Sequence, residues 1–145
     1  MTTGSVVRPR RAITAVAAWA LIQVLRISGL SVAQGVLAGD EAAAWLFPGL
    51  GDTFLAITAP FVALVVWRRS GLAIWVTAIV WFILSIVDHL DGLTATLTTP
   101  LPRSIGGSSA SFATGLLVLS ALDLAALALL ARKAMRSHYL GSLRL

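Results

Sequence analysis

One arginine and two glutamines interrupt the first apolar stretch of this chain. Gln23, Arg26 and Gln34 lie within residues 12–38, among neighbours that are mostly Ala, Val, Leu and Ile. Acids occur in or beside three further apolar stretches. Asp52 opens residues 50–67, Asp88 closes residues 72–89 with Asp91 just beyond, and Asp123 sits inside residues 112–131. A charge in an apolar environment is costly unless it is paired, so such residues mark structural ion pairs, proton relays or ion paths. Two readings follow. Arg26 with its acids fixes helix register, or the same groups handle a proton or a cation.

Helical periodicity sharpens this. At 100° per residue, Trp19, Gln23, Arg26, Leu30 and Gln34 share an arc of about 80°, a polar stripe expected to face the interior. Thr77, Trp81, Ser85, Asp88 and Asp91 share a second arc of about 120°. At about 1.5 Å per residue, Arg26 lies about 21 Å into its stretch and Asp88 about 24 Å, measured from the same side. Asp123 lies about 12 Å in, within reach of a long side chain. Arg26 is therefore expected to pair with Asp88 or Asp123, and spacing does not choose between them.

Asp88 and Asp91 are the candidates for a metal or a shared proton, as neighbours on one helix face with Asp52 or Glu41 across from them. His89 points about 160° away from Asp91, so all three residues cannot hold one ion on a regular helix. The other histidine, His138, falls on the opposite side of the chain's apolar layer. This excludes bis-histidine haem ligation within one chain and leaves a single axial ligand as the weaker idea. No Gly-x-Ser-x-Gly, Walker or His-Glu-x-x-His pattern occurs. No catalytic residue and no cofactor is predicted.

The elements that position these groups follow from composition. Of 145 residues, 58% are hydrophobic and 12% charged, so too few polar side chains exist to coat a globule. An all-α polytopic integral membrane protein is expected, a four-transmembrane-helix bundle with spans at about 12–38, 50–67, 72–89 and 112–131. Residues 39–51 and 92–111 are read as outer loops and residues 132–145 as a basic tail. The first stretch is too long for a signal-peptide core and is read as a retained span. Gly35 and Gly39 form a GxxxG at its end. Asp52 is expected to cap the second span, and Pro60 to kink it. The five tryptophans are read as belt and packing residues, with Trp45 and Phe47 at headgroup level.

Charge is sorted by side. Arg8, Arg10, Arg11, Arg68, Arg69, Arg132, Lys133 and Arg136 flank one set of span ends. All six acids lie on the other side or inside a span. Basic segments are retained in the cytoplasm, so both termini are expected inside, in the N-in/C-in topology of a multi-pass cell-membrane protein. The net charge of +5 is spent at span ends, without the aromatic interleaving of a nucleic-acid surface. Cysteine is absent, which excludes disulfides, thiolate metal sites and cysteine nucleophiles. Ten arginines against one lysine suggest a GC-rich bacterial genome. The expected partners are the lipid bilayer, further copies of the chain, or another membrane subunit. The expected role is a non-enzymatic accessory or assembly component. The alternative is a small transporter or channel component for a proton, cation or small hydrophobic solute, using Arg26, Asp88 and Asp123.

Overall fold

The computed structural model describes residues 9–141, so Arg8 lies outside the described residues. It is all-helical, 85% helix and without strands among the described residues. Four helices are long and apolar enough to cross a membrane: Arg10–Ala38, Ala43–Arg68, Leu72–Thr98 and Ser109–Ala131. They are spans 1 to 4 below. Span 1 joins α1 (Arg10–Ile22), a 3₁₀ segment (Gln23–Ser28) and α2 (Gly29–Ala38). Span 2 is a short 3₁₀ turn (Ala43–Trp45) followed by α3 (Leu46–Arg68), span 3 is α4 (Leu72–Thr98), and span 4 is α5 (Ser109–Ala131). A further helix, α6 (Lys133–Leu140), follows where a basic tail alone was expected.

The spans pack in a ring in chain order, span 1 against span 2 along its whole length and span 4 closing lightly onto span 1. The apolar core fills the end where span 1 begins and span 4 finishes. There Val16, Ala20, Ala59, Val66, Phe82 and Leu130 are buried. α6 closes that end by inserting Met135 and Tyr139. The Tyr139 hydroxyl donates to the Val66 carbonyl, which the last turn of α3 leaves without a helical partner. At the opposite end Trp45 is buried, and its indole N–H donates to the Pro100 carbonyl. Trp45 thus ties the two loops of that end together.

The helices outrun the expected spans for physical reasons. Span 2 begins before residue 50 because Pro48 sits in the first turn, where no intrahelical N–H bond is lost. At Gly49 and Gly51 close neighbours leave no room for a side chain. A methyl at Gly49 would lie 2.8 Å from the Ala33 nitrogen and 2.9 Å from the Gly29 carbonyl oxygen. Span 3 continues to Thr98 although Thr favours turns and strands in water. Here Thr94, Thr96, Thr98 and Thr99 each donate to the carbonyl four residues back, which satisfies the hydroxyl inside its own helix. The second loop is therefore confined to about ten residues, 99–108, and ends in a Ser108–Ser111 capping box.

The close helix crossing lies at Gly29 and Gly49, not at the GxxxG of Gly35 and Gly39. Gly39 is the left-handed C-cap of α2, φ +83°, with open space where a Cβ would sit. Gly49→Ala presses a methyl on backbone that cannot give way, and is expected to cost about 1–3 kcal/mol. Thermal unfolding in detergent, read by tryptophan fluorescence, should show the loss. Gly106→Ala, with nothing within 4 Å of the new methyl, should leave the transition unmoved.

Candidate functional site

Span 1 is regular α-helix up to Ile22 and then tightens for six residues. A 3₁₀ helix has three residues per turn, so side chains at i and i+3 eclipse. Gln23, Arg26 and Gly29 consequently fall on one line facing the bundle. Gln23 is 2% exposed, and Gly29 is buried against Asp52. The tighter winding advances the helix by about 120° relative to a continuous α-helix. Leu30 and Gln34, expected on the polar stripe, are turned outward, and both are exposed. Val32 and Ala33 take the inward positions instead.

Arg26 is the hub. Its Nε donates to Asp52 and its Nη2 to Asp88. Its Nη1 donates to the Ser85 hydroxyl at 2.8 Å and to the Gln23 side-chain oxygen at 3.2 Å. Four acceptors from spans 1, 2 and 3 thus surround one guanidinium whose side chain is 9% exposed. Asp52 does not cap its helix. The helix begins at Leu46, a turn and a half earlier, which places Asp52 level with Arg26. The pairing left open by spacing is settled for Asp88, with Asp52 as the second partner and Asp123 excluded from direct contact. Gly51 makes room for this, because a methyl there would collide with the Asp88 carboxylate.

Asp123 anchors a second, deeper set. It is fully buried. One carboxylate oxygen accepts from the Trp19 indole at 2.7 Å and from the Gln23 amide at 3.1 Å. The other lies 3.3 Å from Nδ1 of His89, an ion-pair distance without hydrogen-bond alignment. His89 is 1% exposed, and neither ring nitrogen has a hydrogen-bond partner. Gln23 joins the two sets by accepting from Arg26 and donating to Asp123. The result is one polar network from Asp52 through Arg26 and Gln23 to Asp123 and His89, drawing on all four spans.

Of the sequence-predicted site, Gln23, Arg26, Asp52, Asp88 and Asp123 come together. Gln34 and Asp91 stay outside, both exposed. Asp91 therefore does not join Asp88 in the bundle, and no cluster of three or more His, Asp or Glu suited to a metal forms among the described residues. The tryptophans work as interior donors as well as packing. Trp81 donates to the Thr58 hydroxyl and Trp75 to the Leu130 carbonyl. Gly29, Gly49 and Gly51 also belong to the site, through close approaches that helical spacing does not reveal.

Arg26→Leu leaves Asp52 and Asp88 facing each other without a cation, and is expected to cost about 3–5 kcal/mol. The triple variant Arg26→Leu/Asp52→Leu/Asp88→Leu should recover most of that loss, because an apolar replacement of a complete buried ion set is close to neutral. Denaturant unfolding in detergent micelles measures both. Compared with known protein families, curated proteins and solved structures, the chain matches none.

Proposed function

We propose that this chain is a multi-pass protein of a bacterial cell membrane, with both termini in the cytoplasm, and that it serves as a non-enzymatic accessory or assembly component. The orientation is supported by charge. Arg10, Arg11, Arg68, Arg69, Arg132, Lys133 and Arg136 crowd the end where span 1 begins and span 4 finishes, and Asp40 and Glu41 lie at the other.

The observation that carries the accessory role is the outward face of span 2. Phe47, Leu50, Phe54, Ile57, Phe61 and Leu64 alternate at spacings of three and four, and each is between 47% and 73% exposed. Phenylalanine takes every first position and Leu or Ile every second. Contact with lipid asks only for apolar side chains and imposes no such order. A repeat of about 3.5 residues is the geometry of a seam between helices crossing at about 20°. The face is suited to a helix of another copy or of another membrane subunit. Gln23, Arg26, Asp52, Asp88 and Asp123, meanwhile, are turned on one another between the spans, an arrangement suited to holding them in register.

The natural absence of cysteine makes the test direct. Phe54→Cys, Ile57→Cys and Phe61→Cys, each treated with a bifunctional thiol reagent in native membranes, should form discrete crosslinked species. Leu25→Cys on span 1, 77% exposed, should not. Equal, weak crosslinking at all four positions would overturn the reading.

Proton handling is the second reading, and one observation favours it. A single guanidinium faces two carboxylates, and His89 next to Asp123 keeps an unpartnered nitrogen. The hollow beside Asp52 and Asp88 is about 20 Å³, room for about one water and not for a solute. On this reading, purified protein in liposomes relieves an imposed pH gradient, and Asp88→Asn abolishes the flux while the folded bundle persists. Liposomes that hold their gradient with the wild-type chain would reject it.

A further inference from the structure

We propose that the cytoplasmic end of the bundle carries a binding groove for one anionic phospholipid, with its phosphate against Arg10, Arg11 and Arg132. The inference rests on the membrane orientation argued above.

The groove arises from a break in the chain. Arg132 is extended, φ −60° and ψ 144°, between the last residue of α5 and the first of α6. α6 therefore leaves the axis of span 4, and its buried Met135 pins it over the bundle. Between this helix and the start of span 1 lies an open hollow of about 830 Å³. This is within the size range of small-molecule sites, about 300–1,000 Å³.

Its lining is divided in the way a phospholipid is. Arg10, Arg11 and Arg132 supply three cations at the rim, and Ala12, Ala15 and Leu129 supply an apolar wall. None of the three arginines has an ion-pair partner among the described residues. The acids of the chain are at the far end or inside the spans, so no internal carboxylate competes for them. Guanidinium groups bind phosphate through paired N–H donors. Basic hollows between spans on the cytoplasmic side select anionic headgroups. The small side chain of Ala15 leaves space along span 1 for the first part of an acyl chain.

The test is native mass spectrometry of the full chain, extracted in mild detergent and offered equal concentrations of phosphatidylglycerol and phosphatidylcholine with identical acyl chains. Inorganic phosphate is offered in a separate arm. Retained phosphatidylglycerol should exceed phosphatidylcholine by about tenfold. The Arg10→Gln/Arg11→Gln/Arg132→Gln variant should fall to parity. Arg68→Gln/Arg69→Gln/Arg136→Gln removes the same charge from the same end and should keep the preference. Ala15→Phe keeps every charge and fills the wall, so it should lose bound lipid. It carries the test alone if the first triple variant does not fold.

Equal retention of the two lipids by the wild-type chain overturns the groove. So does equal loss in both triple variants, which would mean surface charge alone. Phosphate retained in place of lipid overturns the lipid assignment. An alkaline carbonate wash of native membranes separates this from failure of the membrane reading. A chain released by the wash refutes the membrane reading, and a chain that stays but shows no lipid preference refutes the groove only.

Discussion

Arg26 sets the terms for the rest of the structure. A guanidinium carries five N–H donors and keeps its charge at any accessible pH, so it cannot escape burial by losing a proton. In an apolar interior each donor needs an acceptor, and the positive charge needs a carboxylate. Asp52, Asp88, Ser85 and Gln23 take four of the five donors, and the two carboxylates answer the charge. Those acceptors come from three spans, so the relative heights and rotations of the spans are dictated by one side chain. Sliding any of them by a turn strips Arg26 of a partner.

Much of the local backbone is the consequence. The 3₁₀ segment puts Gln23, Arg26 and Gly29 in line. Gly29 and Gly49 then let spans 1 and 2 approach until Asp52 reaches the guanidinium, and Gly51 leaves space for Asp88. Glycine weakens a helix in water. Here the missing side chains are what allow backbones to meet. A 3₁₀ stretch within a helix has poorer hydrogen-bond geometry than α, and the close polar contacts of Arg26 and Gln23 offset it.

Two halves of the bundle solve different problems. The half beside α6 is filled with apolar side chains and closed by that helix through Tyr139 and Met135. The other half holds the Arg26 network and is closed by Trp45 bridging the loops. Asp123 lies where the halves meet. It draws Trp19, Gln23 and His89 to one carboxylate, so the light contact between spans 1 and 4 is strengthened by polar bonds. The outward faces are mostly apolar, with Gln34 and Asp91 among the exposed exceptions, and only 17–39% of the apolar stretch of each long helix is buried inside the bundle.

The four long apolar helices and the burial of Gln23, Arg26, Asp88 and Asp123 were legible in the sequence. Long apolar stretches with charges at their ends admit few arrangements, and a lone Arg26 among aliphatic residues must find acids. Which acids it finds was decided by tertiary structure. Spacing along a uniform helix put Gln34 inside and ranked Asp123 with Asp88, because it assumed 3.6 residues per turn throughout span 1. Six residues of tighter winding rotated Gln34 outward. An earlier start to α3 converted Asp52 from an end cap into a partner. Rotations and starting points of this kind depend on contacts between helices distant in sequence, here Gly29 on Gly49 and Asp88 over Gly51. No single stretch of sequence encodes such contacts by itself.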